Sequence, residues 1–178
     1  MIVGTVKEIK NNEYRVGLTP SSVYELHHAG HDILVEKGAG SGAGFEDADY
    51  VAAGATLCDT AREVFAQAAM IVKVKEPQAA ERARLRKGQI LFTYLHLAPD
   101  PAQTKDLIKS GATCIAYETV TAPGGGLPLL APMSIIAGRM AAQVAARFLE
   151  RWCLTWATTS RRQVAEMPSK MHLFPKGQ

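Results

Sequence analysis

From Met1 to about residue 130 the chain switches repeatedly between two patterns: short apolar runs, and segments bounded by helix start and stop signals. This alternation constrains the fold more than any other feature, because strands that alternate with helices pair side by side in a parallel sheet. "MIVGTV" is a strand candidate, and "TPSSVYELHHAG" reads as a helix with Thr19 as N-cap, Pro20 at the first helical position and Gly30 closing it. "HDILVE" is the second strand, and "DTAREVFAQA" is an amphipathic helix with Asp59 as its cap. "MIVKV" is a further strand, stopped by Pro77; a basic helical stretch and the strand "QILFTYL" follow. "DPAQTKDLIKSG" is a capped helix ending at Gly111, and "TCIAYE" is the next strand. Right-handed crossovers between such strands predict an α/β domain over residues 1–130, a mostly parallel sheet flanked by helices. Ligands of these sheets bind beyond the carboxyl ends of the strands, which puts "KVKEP" and "TYLH" at functional positions.

The next stretch, 131–150, reads as one long Ala-rich connecting helix, with Ile135, Met140, Val144 and Phe148 near helical spacing. Residues 151–178 have no stable period, hold both tryptophans and read as an irregular, atypical tail. That tail also distorts the net charge of +3: its five basic residues and one acidic residue sum to +4, leaving −1 for residues 1–150. The sequence pI of about 8.8 therefore belongs to the tail and does not mark a nucleic-acid surface. A composition 47% hydrophobic and 21% charged is that of a soluble globular chain. No apolar run reaches the roughly 18 residues of a membrane span. "MIVGTVKEIKNNEYR" does not read as a signal peptide. Cys58, Cys114 and Cys153 are too far apart for a zinc site or a disulfide framework and fit a reducing cytoplasm.

Four residues stand out as able to carry chemistry. Arg15 lies in a polar loop between a strand and a capped helix, where a guanidinium can clamp a carboxylate through two parallel hydrogen bonds; otherwise it is a solvated surface arginine. Lys75 follows an apolar strand, shares a face with Lys73 by alternation, and can bind an anion; otherwise it blocks strand-edge aggregation. His96 follows a buried strand and can move protons near neutral pH, or be structural. Ser134 opens the long helix and either caps it or touches a ligand near its N-terminus. His27, His28 and His31 sit on or just after a helix and read as surface residues; His172 lies in the tail.

"VEKGAGSGAGFEDADY" also invites a nucleotide reading, since Gly38, Gly40 and Ala43 satisfy G-x-G-x-x-[GA]. A dinucleotide loop opens directly into a helix and has an acidic residue at the end of the next strand, about 20 positions on. Here the loop runs on into the short, polar "EDADYVAAG", and Asp59, at about the right distance, caps a helix. The stretch fits the dinucleotide pattern poorly.

Taken together, "KEIKNNEYRVGLTP", "GAGSGAGFEDADY", "IVKVKEPQ", "GQILFTYLHLAPDP", "GATCIAYETV" and "LPLLAPMS" followed by "AGRMAAQ" resemble the N-terminal part of the alanine dehydrogenase and pyridine nucleotide transhydrogenase family, on its bacterial alanine dehydrogenase branch. The likeness runs nearly without gaps over residues 1 to about 150. It implies a Rossmann-like substrate domain, a cytoplasmic homo-oligomer (a hexamer in the family), and NAD-dependent conversion of L-alanine to pyruvate and ammonium, with no metal. It further implies that Arg15 and Lys75 bind the substrate, that His96 is the catalytic acid and base, and that Ser134 touches the cofactor. Ile135 and Ile136 depart from the family pattern, which has an acidic residue beside that serine. Past Glu150 the family continues into an NAD-binding Rossmann domain with a true G-x-G-x-x-G loop. That continuation is absent from residues 151–178, so the expectation is a chain truncated or frameshifted after about residue 150, inactive alone. Two other readings stand beside it: a transhydrogenase subunit, and a non-enzymatic module binding a small 2-oxo or amino acid.

Overall fold

The computed structural model describes the backbone of residues 1–158 and the side chains of residues 1–150. Two units divide it, the first ending at Leu130 and the second beginning at Ala131. In the first, six strands form one sheet: β1 (Ile2–Thr5), β2 (Asp32–Glu36), β3 (Ala55–Cys58), β4 (Met70–Val72), β5 (Ile90–Thr93) and β6 (Thr113–Ala116). All neighbours are parallel, in the order β3-β2-β1-β4-β5-β6. The chain therefore builds outward from β1 to one side, then returns to build outward from β4 on the other, which is the doubly wound pattern.

Five helices, α1 (Pro20–His28), α2 (Asp47–Ala52), α3 (Ala61–Gln67), α4 (Ala79–Arg82) and α5 (Pro101–Ser110), connect the strands. Local chemistry explains their ends. Thr19 accepts from the Ser22 N–H at the start of α1, and Asp100 accepts from the Gln103 N–H at the start of α5. Gly111 closes α5 at φ +68°, a left-handed conformation that costs glycine no Cβ clash. One cap moves: α3 begins at Ala61, so Thr60 rather than Asp59 caps it, accepting from the Glu63 N–H. Asp59, one residue too early, pairs with Lys37.

Alternate residues sort onto two faces. Val3, Ile33, Val35 and Val72 pack with Val23 of α1 and Tyr50 of α2. Leu34, Ile71 and Leu91 pack on the other face with Val64 and Phe65 of α3, Leu85, and Leu107 of α5.

The polar stretch after the glycines forms α2, and Ala55–Cys58 just beyond it forms β3; neither element is among those expected from the sequence. Glu46 and Asp49 make a capping box there with carboxylates in place of the usual hydroxyl. β3 is a four-residue edge strand, too short to show a period.

The glycines before α2 serve packing. A Cβ on Gly40 would lie 2.6 Å from the buried ring of Tyr50, and one on Gly42 would lie 2.7 Å from the Tyr14 carbonyl. The Gly38 N–H donates to the Asp47 carboxylate at 2.8 Å. A helix whose start carries Glu46, Asp47 and Asp49 repels a phosphate.

The second unit is α6 (Ala131–Thr158), eight residues longer than the expected 131–150. Neither glycine nor proline interrupts residues 151–158, so the backbone continues helical past Glu150. Ile136, Met140, Val144 and Phe148 recur every fourth residue along α6 and are exposed. The remainder of the expected tail, 159–178, lies outside the described residues, as do His172, the Cys153 thiol and both tryptophan side chains. No helix among the described residues is long and apolar enough to cross a membrane.

Candidate functional site

The order of building reverses between β1 and β4, and the crevice at such a reversal is where α/β sheets bind ligands. Arg15 lies in the loop leaving β1, Lys75 just past β4 and His96 just past β5. Three residues separated in sequence thus stand at the exits of three adjacent strands.

Arg15 is held by its neighbour. Its Nε donates to Glu13 Oε1 at 2.8 Å and its Nη2 donates to Oε2 at 2.6 Å, a two-pronged grip on a planar fork. The Arg15 hydrogen bonds carry Glu13 down to about 2; burial opposes this, and the Lys75 charge adds to it. The Arg15 guanidinium is itself pushed up by Glu13, with a smaller contribution from Tyr94.

The sign of the pH effect follows. A carboxylate with a depressed folded pKa contributes stability above its unfolded value of 4.5, and that contribution is lost as pH falls toward about 2. Glu13→Gln should therefore be less stable than the parent chain at pH 6, with the gap closing between pH 4.5 and 2. Urea unfolding across that range measures it. A gap that stays constant with pH would remove the role given to this pair.

Lys73, only two residues from Lys75, has a different environment. Its Nζ is completely buried and donates to Glu8 Oε2 at 3.0 Å and Glu81 Oε1 at 2.7 Å, both carboxylates being 2% exposed. Glu81 also accepts from the Gln78 N–H at the start of α4. Lys75 is half-buried; its carbonyl accepts from Thr93 Oγ1 at 2.8 Å.

His96 sits at φ +47°, one of two non-glycine residues with positive φ among the described residues. Such strain persists only where surroundings impose it. Here the Glu118 carboxylate, from the turn after β6, accepts from the His96 N–H at 2.8 Å and the Leu95 N–H at 3.1 Å. The imidazole is half exposed and stacks on Tyr94, with ring centroids 5.8 Å apart and planes at 17°. Its Nδ1 lies 3.5 Å from Glu76 Oε2, and Lys10 pairs with the other Glu76 oxygen. Burial pushes Glu76 up, but the Lys10 ammonium and the His96 ring outweigh it, so the carboxyl ends below the usual range. A carboxylate there fixes which ring nitrogen faces away from it.

Tyr94 completes the wall. Its hydroxyl donates to the Leu129 carbonyl at 2.5 Å, and its ring meets Tyr117 edge-on at 4.9 Å. Ser134 is the fourth residue of α6, one turn past the N-cap position, and is exposed. The structure therefore gathers Arg15, Lys75 and His96 on one sheet edge, with Ser134 in the second unit.

Sequence reasoning missed Glu8, Glu13, Tyr94, Glu76 and Glu118. Glu76 and Glu13 had a signal, being next to or near residues already chosen. Glu118 had none, since only the sheet brings it to His96.

A six-stranded doubly wound domain thus presents two cations at the strand exits that flank its reversal point and a histidine at the next exit. The family model described as alanine dehydrogenase/PNT, N-terminal domain, matches residues 4–137, and the chain belongs to that family. An alanine dehydrogenase from Halomonas elongata is 61% identical over 151 residues, which is 85% of this chain and 41% of that protein. A solved L-alanine dehydrogenase superposes with a TM-score of 0.80 at 55% identity, over 85% of this chain and 42% of that one. A solved transhydrogenase from Sinorhizobium meliloti gives 0.63 at 33% identity, over 66% of this chain and 35% of that one. The chain thus spans about two fifths of the length of the alanine dehydrogenases it matches.

Proposed function

We propose that residues 1–130 form the substrate side of an NAD-dependent alanine dehydrogenase, with 131–150 as the connecting helix. The overall reaction takes L-alanine, NAD and water to pyruvate, ammonium and NADH. The observation that carries this reading is the convergence of Arg15, Lys75 and His96 on the exits of β1, β4 and β5. A 2-oxo or 2-amino acid offers one carboxylate to the Arg15 fork and the Lys75 ammonium. His96 then stands beside the 2-carbon, where it takes a proton from the attacking water or returns one to the carbinolamine. Glu76 and the Tyr94 ring keep the imidazole in place for that exchange.

NAD accepts the hydride in this chemistry. The loop of Gly38, Gly40 and Ala43 does not fit its pyrophosphate, because it leads into an acidic helix start. We place the dinucleotide site elsewhere, with Ser134 as its contact from this chain. We also infer a cytoplasmic homo-oligomer. The higher identity to alanine dehydrogenases than to the transhydrogenase favours the former activity.

Calorimetric titration with pyruvate tests the substrate side directly: saturable binding is expected, and no heat of binding would overturn it. The 178-residue chain given L-alanine and NAD should form no NADH by itself. Steady NADH formation would show that the dinucleotide is held by residues we place outside its site.

A further inference from the structure

The ladder between β1 and β4 ends at Thr5 and Val72, and the chain leaving β4 bends at Val74 and Lys75. On the β5 side its backbone remains paired, the Lys73 N–H donating to the Phe92 carbonyl at 3.0 Å and the Tyr94 N–H to the Val74 carbonyl at 3.3 Å. On the β1 side no backbone acceptor among the described residues takes over. The Glu8 carboxylate fills that place. Its Oε1 accepts from the Val74 N–H at 2.6 Å and from the Lys75 N–H at 3.3 Å. Its Oε2 accepts from Lys73 Nζ at 3.0 Å. Lys73 in turn is anchored by Glu81, which is tied to α4.

We propose that Glu8 is the positioning residue of Lys75: its buried carboxylate substitutes for the missing strand and fixes the main chain from which Lys75 reaches the substrate. This rests on the reading of Lys75 as a substrate-binding cation. Glu8 itself touches no substrate. It leaves β1 on the loop that carries Arg15, so the same carboxylate ties the two cations' segments together. A substrate carboxylate shared between Arg15 and Lys75 depends on that spacing, and a shift of about 1 Å suffices to weaken such a two-point grip.

The two carboxylates on Lys73 provide a matched control. Glu8→Gln and Glu81→Gln each remove one negative charge from the buried trio and leave one carboxylate on the ammonium. Only Glu8 holds the Val74 and Lys75 amides. In the full chain, hydrogen exchange at those two amides should quicken by about tenfold in Glu8→Gln and change little in Glu81→Gln. The dissociation constant for pyruvate should rise by about tenfold in Glu8→Gln and stay within about threefold in Glu81→Gln. Glu8→Asp keeps the charge near Lys73 but shortens the reach to the amides; it should follow Glu8→Gln and serves as the second variant if Gln impairs folding.

Equal changes in the two Gln variants mean the trio is structural only and overturn the proposal. So does faster exchange in Glu8→Gln with unaltered pyruvate affinity. If Lys75→Met binds pyruvate as the parent does, the substrate reading of Lys75 falls and this proposal falls with it. If the parent chain does not bind pyruvate, the function reading falls, and the exchange comparison alone decides whether Glu8 holds this backbone.

Discussion

Replacing Lys73 by methionine should destabilise the first unit by about 3–5 kcal/mol, the range expected when one partner of a buried ion network is removed. The ammonium has no solvent exposure, and its two carboxylate partners have almost none. Methionine fills the volume but offers no hydrogen-bond donor. Glu8 and Glu81 would then be buried as like charges with only backbone N–H groups to satisfy them. The chain can respond by protonating one carboxyl, by letting water in or by unfolding locally, and each response costs stability. Urea unfolding of parent and variant at neutral pH gives the number. A loss under about 1 kcal/mol would mean that the trio is solvated or rearranged in solution and that the fold does not depend on it.

Arg15→Ala should weaken pyruvate binding by about a hundredfold, or about 2.7 kcal/mol, if the guanidinium makes a charge-assisted, two-pronged contact with the carboxylate. Arg15→Lys should recover only part of this, because an ammonium is a point charge without the planar fork. The free chain already shows the fork at work, since Glu13 occupies its Nε and Nη2 edge. Removing the arginine also frees Glu13, whose carboxylate would then face an incoming anion near Lys75. Both effects run in the same direction. Calorimetry with pyruvate is the measurement, with a thermal midpoint recorded alongside to show that the variant is folded. Parent-like affinity in Arg15→Ala would remove the guanidinium from the site and leave Lys75 as the sole carboxylate ligand.

The sheet was legible in the sequence wherever strands were apolar and helices carried hydroxyl or Asp caps with Pro and Gly at their ends. Five of six strands and the starts of α1 and α5 follow from that grammar. Where the grammar weakens, so does the reading. α2 is capped by acids, and β3 is an edge strand of only four residues. The extension of α6 to Thr158 ran through residues chosen as irregular for want of a period, though nothing in them breaks a helix. For the site, position was legible and support was not. "KVKEP" and "TYLH" could be placed at strand ends from local pattern, and the fold bears out that placement. The carboxylates around them come from other strands' exits: Glu8 lies 65 residues from Lys73, and Glu118 lies 22 from His96. No spacing rule links such pairs before the strand order is known. Alternation also suggested that Lys73 and Lys75 were alike, whereas one is locked inside an ion network and the other borders the crevice.

The separation between β1 and β4 has a consequence in time. Thr5 Oγ1 donates to the Val72 carbonyl across 67 residues, and every element of the site depends on that pairing being closed. Closing so long a loop costs entropy before any contact repays it, so parallel sheets of this kind form slowly relative to their helices. The helices α1 and α5 and the β1–β2 and β5–β6 pairings are more local and can assemble on either side first. The crevice then has no precursor: neither half contains it, and a partly folded chain with near-native helix content has no site at all. Ligand recognition, as proposed for this crevice, is then the last property the domain acquires as it folds and the first it forfeits when the two halves of the sheet part.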